Sequence, residues 1–349
     1  MSWSRTRAFA RVTPLAVAPA IVAIALSGSV DPLVGQTPLS VPALPGVLVR
    51  EGLVRVAPEV QLFYRLAGEG ADPIVYLHGG PGLGIDDGGY DLEGIAASGH
   101  SFLMVNERGG GRSTVITDAK KLGLDSYVDD LEAVRRHFGL SRMKLLGLSF
   151  GSAIVASYAA KYPDHIGRIV FLSPMALTRE FGRARTEKLL SLLSPQAVAR
   201  LNEIGADDFW NRTPDADLPA LCRESLVPVL RLYVTDPAHL SRMRGDVCGY
   251  TPAALRNMNP AGSAIGDSLG DHDFRPLLRR IRVAALVIEG AETQVPLDDA
   301  RAWTAALSNG RILLVPGAGH MNWLDQPETV ISALDMFFRG EWPPLAASR

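Results

Sequence analysis

The chain has 349 residues, of which 47% are hydrophobic and 21% are charged, a composition typical of a globular protein. Its formal net charge of −2 lacks the basic excess of proteins that bind nucleic acids, so we expect no nucleic-acid partner. The chain has only 2 cysteines and no clustered histidines, which excludes the common zinc patterns. The sequence implies no metal and no organic cofactor.

Residues 1–30 have the pattern of a secretory signal peptide. Three arginines precede the apolar run "LAVAPAIVAIAL" at 15–26, and small residues follow it. The run is shorter than the about 20 residues that a membrane-spanning helix needs, although an uncleaved membrane anchor is the alternative. A proline-rich linker at 31–46 follows. We therefore expect a secreted or periplasmic protein without stable membrane association after signal cleavage.

From residue 48 onward, apolar runs with the character of strands alternate with amphipathic segments. Predicted strands cover 48–56, 60–68, 73–79, 101–107, 143–149 and 168–174, and predicted helices cover 124–139 and 150–163. The pattern resumes with strands at 283–290 and 311–317 and helices at 297–307 and 327–340. Such alternation predicts an α/β fold with a mostly parallel central sheet that is flanked by helices.

The segment 175–270 interrupts this alternation, because it is helical in character and richer in charge. It is predicted to be a helical cap inserted into a core formed by 47–174 and 271–345. Both cysteines, Cys222 and Cys248, lie in this cap. In an oxidising compartment a pair of thiols tends to be joined, so we predict a disulfide, with two buried free thiols as the alternative.

The stretch "GLSFGS" at 147–152 places Ser149 in a G-x-S-x-G pattern. Ser149 falls between a predicted strand and a predicted helix, which is where a nucleophile elbow presents its hydroxyl. Gly147 and Gly151 flank it because side chains there would collide with the neighbouring strand and helix. This context favours a catalytic serine over an ordinary serine in a glycine-rich turn.

The motif "HGGPG" at 78–82 directly follows another predicted strand. Its glycines allow backbone amides to approach a substrate oxygen, as an oxyanion hole requires. We assign the two donors to the N–H groups of Gly80 and Phe150. A glycine-rich turn that only shapes the edge of the sheet is the alternative.

His320 is the candidate general base among the 7 histidines. It follows the last predicted strand in "PGAGHMNWLDQPE", where a loop histidine can reach back over the sheet to the serine. The other histidines are predicted to lie in the "HGGPG" loop, at the ends of helices or loops, or in and beside the cap.

Together these motifs resemble the α/β-hydrolase superfamily and, within it, the proline iminopeptidase group of serine peptidases (peptidase family S33). "HGGPG" is the signature of that group, and "NERGGGRS" at 106–113 is close to its "DQRGxGxS" stretch. Three residues depart from the group's pattern: Asn106 and Glu107 replace Asp-Gln, and Phe150 replaces Trp. The resemblance covers roughly residues 50–340, apart from the cap.

The resemblance implies that a carboxylate completes the triad in the loop after the strand "ALVIEG". The family places an aspartate there, shortly before a proline, whereas this chain reads "GAETQVPLDD". Glu292 is the nearest carboxylate, and glutamate is an accepted acid in this fold. The alternatives are Asp298, Asp299 and Glu180.

The resemblance also implies a serine hydrolase that forms an acyl-enzyme and acts as an aminopeptidase of the proline iminopeptidase type on short peptides. In such enzymes acidic cap residues bind the free α-amino group, and the candidates here are Glu180, Glu187, Glu203, Asp207, Asp208, Glu224, Asp236 and Asp246. One alternative is a carboxylesterase or lactonase acting on a neutral, apolar small molecule. Another is a binding protein of this fold without catalysis, which the intact Ser149 and His320 argue against.

Overall fold

The computed structural model of the chain describes residues 41–205 and 209–348. The predicted signal peptide and the linker up to residue 40 lie outside the described residues. Within the two described ranges, no helix is both long and apolar enough to cross a membrane.

The centre of the molecule is an eight-stranded sheet with the order β1-β2-β4-β3-β5-β6-β7-β8. The first two strands form a hairpin, and β2 pairs antiparallel with β4, whereas all other neighbours are parallel. The mostly parallel sheet predicted from the sequence is therefore confirmed. The strands are β1 (Val49–Ala57), β2 (Val60–Ala67), β3 (Ile74–Leu77), β4 (Phe102–Val105), β5 (Met143–Leu148), β6 (Ile166–Leu172), β7 (Ala285–Gly290) and β8 (Gly310–Val315).

Successive residues of a strand point to opposite faces of the sheet, and in these strands the residues on both faces are apolar. Both faces must therefore be buried, and helices cover each of them. In β3, Val75 and Leu77 join one hydrophobic cluster, whereas Ile74 and Tyr76 join the other. The α-helices are α1 (Gly89–Leu92), α2 (Leu124–His137), α3 (Gly151–Lys161), α4 (Arg179–Ser191), α5 (Pro195–Ile204), α6 (Phe209–Arg212), α7 (Leu218–Tyr233), α8 (Pro252–Leu269), α9 (Arg275–Leu278), α10 (Leu297–Ala306), α11 (Asn322–Asp325) and α12 (Pro327–Arg339). Short 3-10 helices cover Ile85–Asp87, Glu93–Ser98, Ala119–Lys121, Pro163–His165, Asp215–Asp217 and Pro237–Arg242.

Helices α4 to α8 lie between β6 and β7, where the sequence predicts the cap. The two ends of this insertion meet in an antiparallel bridge between Thr178 and Asp273. The insertion has a hydrophobic cluster of its own, in which Trp210, Leu255 and Met258 are buried. The insertion thus leaves and re-enters the core at one place, and it also contacts the core elsewhere, for example through the ion pair of Arg244 with Glu93.

Cys222 of α7 and Cys248 are joined by a disulfide in the structure, with 26 residues of sequence separation. Both side chains are buried in the cluster of the cap. We predict the same bond in protein made in an oxidising compartment, where it is expected to stabilise the fold by roughly 3 kcal/mol through loop closure. Mass analysis of the alkylated, unreduced protein is expected to find no modified cysteine. Two alkylated thiols in protein from an oxidising compartment would contradict this prediction.

Candidate active site

Ser149 stands in a sharp turn between the end of β5 and the start of α3. Its φ of 45° lies in the left-handed region, which costs a non-glycine residue roughly 1–3 kcal/mol. Hydrogen bonds hold the turn in this conformation: Ser149 N–H donates to the carbonyl of Leu172 at 3.0 Å, and Met175 N–H donates to the carbonyl of Ser149 at 3.1 Å. The side chain is half-exposed at the carboxyl edge of the sheet. This is the geometry of a nucleophile elbow.

The glycines beside Ser149 are required by close backbone contacts. A Cβ on Gly151 would lie 2.3 Å from the carbonyl oxygen of Leu77, and one on Gly147 would lie 2.7 Å from the carbonyl oxygen of Gly151. Both distances are shorter than any carbon–oxygen contact, so larger residues would push α3 away from β3 and β5. The G-x-S-x-G spacing is therefore a packing requirement of this turn.

The "HGGPG" loop leaves β3 beside the elbow. Gly80 has a φ of 54°, and Leu83 N–H donates to its carbonyl at 2.8 Å, which forms a tight turn. The N–H groups of Gly80 and Phe150 donate no hydrogen bond to another described residue. Neither predicted oxyanion donor is thus used in a hydrogen bond within the described residues. In the same loop, burial lowers the pKa of His78 to about 4, which keeps its ring neutral.

His320 lies in the loop between β8 and α11 and is 3% exposed. Its carbonyl accepts a hydrogen bond from Ser173 Oγ at 2.6 Å, and Ser173 directly follows β6, the strand next to β5. The elbow and the His320 loop are thus brought to the same edge of the sheet. The ring of Tyr233 from α7 packs against the His320 ring, with 4.6 Å between their centroids.

Glu289, the penultimate residue of β7, is the carboxylate beside His320. Its Oε2 lies 3.5 Å from His320 Nδ1, and its side chain is 1% exposed. The other oxygen, Oε1, accepts the N–H of Gly290 at 3.0 Å. The distance to His320 exceeds that of a hydrogen bond, and catalytic hydrogen bonds are often long before the substrate binds.

Glu292, the predicted triad acid, does not make this contact with His320. Glu292 is exposed, and its Oε2 accepts the N–H of Ala318 at 2.9 Å, so it braces the loop instead of facing the imidazole. The carboxylate that lies beside His320 thus belongs to the strand "ALVIEG" itself, whereas Glu292 lies in the loop after it. The sequence pattern hid this because a glutamate inside an apolar run reads as part of a buried strand.

None of the alternative acids forms an ion pair with His320 among the described residues. Asp298 is exposed and pairs with Arg301 at 3.0 Å, and Glu180 is exposed in the first turn of α4. Asp299 is buried, and its Oδ1 accepts the N–H of Leu177 at 2.9 Å. Burial raises the pKa of Asp299 to about 6.

The acidic residues of the cap mostly make local contacts at its surface. Glu203 and Glu224 pair with Arg200, and Asp246 pairs with Arg223. Asp236 accepts the N–H of Ala238, and Glu187 is exposed. Asp207 and Asp208 lie outside the described residues.

Asp87 is an acidic group near the nucleophile that sequence reasoning missed. Its Oδ2 and Ser149 Cβ both lie 3.0 Å from the point where a Cβ on Gly79 would stand, so the two side chains flank Gly79. The carboxylate accepts hydrogen bonds from Gly79 N–H at 2.8 Å and from Tyr76 Oη at 3.1 Å. Burial raises the pKa of Asp87 well above its usual range. Only the fold reveals this position, because Asp87 follows "HGGPG" in a segment without a motif.

A family model for the α/β hydrolase fold matches residues 72–218. The chain is 24% identical to a proline iminopeptidase of Clostridioides difficile, over 78% of this chain and 92% of that protein. It is 25% identical to a bifunctional esterase/perhydrolase of Acinetobacter calcoaceticus, over 82% of this chain and 99% of that protein. The solved structure of a proline iminopeptidase of Mycobacterium smegmatis superimposes on this chain with a TM-score of 0.62 at 18% sequence identity. The superposition covers 83% of this chain and 98% of the chain of that enzyme.

The parallel sheet, the elbow and the glycine-rich loop define a hydrolase of the α/β type. The chain has the α/β-hydrolase fold, and its sequence is similar to those of proline iminopeptidases.

Proposed function

We propose that the protein is a serine hydrolase with the triad Ser149, His320 and Glu289. The Ser149 hydroxyl attacks the substrate carbonyl, and its proton passes to His320. Glu289 stabilises the resulting imidazolium, while the N–H groups of Gly80 and Phe150 stabilise the oxyanion. His320 then protonates the leaving group, and a water molecule releases the acyl group from Ser149.

The observation that carries this proposal is the conformation of Ser149. Among the described residues, only Ser149 and Ser173 combine a side chain with a positive φ. Backbone strain at a sheet edge persists where the surrounding structure enforces it, and such strain clusters at functional sites. Here the strained residue also lies beside two amides without a protein acceptor, which is the arrangement that acyl transfer requires.

The substrate we propose is a short peptide with a free N-terminal amine, proline by preference. Sequence similarity to several proline iminopeptidases supports this choice. Asp87 adds support, because an α-amino group lies only two bonds from the carbonyl carbon that Ser149 attacks. A carboxylate beside the nucleophile is therefore within reach of that amine, and an ammonium group would offset the cost of ionising the buried acid.

Replacement of Asp87 by asparagine tests this assignment. The amide oxygen can still accept from Gly79 N–H and the NH2 group can reach Tyr76 Oη, so only the charge is lost. We expect kcat/KM for proline-linked arylamide to fall about 10-fold or more, in line with losing one charged hydrogen bond. Turnover of p-nitrophenyl acetate, which has no amine, is expected to change less than about 3-fold. Equal losses on both substrates would assign Asp87 to the shape of the loop and not to the amine.

A carboxylesterase or lactonase is the second candidate. The similarity to an esterase/perhydrolase and the surface pairing of several cap acids favour it. A panel of proline-linked arylamide, p-nitrophenyl esters of several chain lengths and lactones, tested on the purified protein, distinguishes the two. Arylamide turnover above that of every ester and lactone would support the peptidase, and the reverse order would support the second candidate.

The site of action that we propose is outside the cytoplasm. The basic and apolar segment in residues 1–30 and the paired cysteines in the cap support it. N-terminal sequencing of protein recovered from the medium or periplasm tests this, since signal cleavage would remove the first residues. An intact N-terminus on protein retained in the cytoplasm would contradict it.

A further inference from the structure

The backbone of His320 is held at three consecutive points. The preceding amide, Gly319 N–H, donates to Asp325 Oδ2 at 2.7 Å. The carbonyl of His320 accepts from Ser173 Oγ at 2.6 Å. The following amide, Met321 N–H, donates to the carbonyl of Tyr233 at 2.7 Å. Two of these three anchors belong to the sheet core, whereas Tyr233 belongs to the cap.

Residues 233–242, here named the cap tail, also reach the Asp325 anchor. Asp325 has a side chain that is 0% exposed, and it accepts the Nδ1 proton of His239 at 2.6 Å. It also accepts Thr235 N–H at 3.1 Å. A further contact joins the same two segments, because Arg242 Nη1 donates to the carbonyl of Leu324 at 2.8 Å. Asp325 thus accepts hydrogen bonds from the cap tail and from Gly319, and it links the cap tail to the residue before His320.

We propose that His239 and Asp325 are positioning residues that make the cap tail part of the catalytic machinery for His320. Neither needs to touch the substrate. Hydrogen bonds from His239 and Thr235 hold the carboxylate of Asp325 in place. This carboxylate in turn holds the N–H group of Gly319, the residue before His320. The inference rests on the proposed serine-hydrolase function, because it requires His320 to act as the base for Ser149.

Small displacements of a base have large effects on rate. Proton transfer requires a heavy-atom distance of about 2.6–3.2 Å, and a misplacement of about 1 Å caused by a distant mutation can cost about 100-fold. A buried carboxylate that loses a donor also turns toward any other available donor, because an unpaired buried charge is unfavourable. Removal of His239 therefore lets Asp325 shift, and Gly319 and His320 shift with it.

The test compares His239→Leu with His239→Asn and Ser241→Ala. Asparagine can place an N–H donor near the position of Nδ1, whereas leucine offers none. Ser241 is an exposed residue of the cap tail whose hydroxyl donates only to Ala238, so its alanine variant is a matched control. The readouts are the rate of labelling by a serine-reactive fluorophosphonate, kcat and KM for p-nitrophenyl acetate, and the melting temperature.

We expect His239→Leu to lower the labelling rate and kcat about 10-fold with little change in KM, within the range that misplacement of a base produces. His239→Asn should recover most of the loss, and Ser241→Ala should match the wild type. If the leucine variant does not fold, Asp325→Asn is the second test, with a similar loss expected. A lower melting temperature with an unchanged labelling rate would overturn the inference. Absence of wild-type labelling at Ser149 would instead overturn the proposed function itself.

Discussion

Replacement of Ser149 by alanine is expected to lower kcat by about 10⁶-fold, which is the scale seen when a serine protease loses its nucleophile. Only the hydroxyl is removed, and no hydrogen bond to a described residue depends on it. Alanine carries a Cβ like serine, so the strained turn at φ 45° and the fold are expected to persist. Circular dichroism and thermal melting should therefore match those of the wild type. Activity on the preferred substrate of the panel gives the measurement.

Labelling with a fluorophosphonate probe tests whether the loss of kcat in Ser149→Ala reflects loss of the nucleophilic Oγ of Ser149. The wild type is expected to carry the label at Ser149, as shown by peptide mass analysis, and the alanine variant to carry none. Ser157→Ala is a matched control, because Ser157 lies in α3 and its buried hydroxyl has no hydrogen-bond partner among the described residues. Full activity in Ser149→Ala, or a label on another serine, would contradict the proposed mechanism.

The fold could be predicted from the sequence because its strands are buried on both faces. Runs such as "IVYL" and "RIVFLSP" have no polar positions in their centres, and the structure places their alternate residues in two separate clusters. The cap was recognisable only as a break in this pattern. How α4 to α8 pack over the sheet depends on contacts between distant segments, such as Arg244 with Glu93, which no local pattern reports.

The candidate site was predictable where its chemistry requires a local backbone shape. Ser149 and Gly80 both have positive φ values, and the glycines in and around these turns are the sequence signal of that backbone shape. Glu289 and Asp87 have no such signal, since only the folded chain brings the first beside His320 and the second close to Ser149. The same holds for Asp325, whose partners Thr235 and Gly319 come from the cap and from the loop after β8.

Replacement of Glu289 by glutamine is expected to lower kcat by about 10⁴-fold, as the matching amide replacement does in serine proteases. The oxygen of the amide can keep the hydrogen bond from Gly290 N–H, which leaves the NH2 group facing His320 Nδ1. A donor at that point favours the tautomer in which Nδ1 accepts and Nε2 carries the proton, and such an imidazole cannot take a proton from Ser149. The KM should change little, because neither residue is proposed to hold the substrate.

Glu292→Gln is the matched control for this prediction, since it makes the same chemical change three residues further along the chain. Its amide oxygen can still accept from Ala318 N–H, and the exposed side chain has no ion-pair contact with His320 among the described residues. We expect kcat within about 3-fold of the wild type, because exposed charges contribute little. Steady-state kinetics on one substrate, with labelling rates at Ser149 as a second readout, compare the two variants. The imidazole of His320 depends on the carboxylate that stabilises its charged form, so loss of that carboxylate must lower kcat strongly. Near-normal kcat in Glu289→Gln together with a large loss of kcat in Glu292→Gln would therefore identify Glu292 as the triad acid.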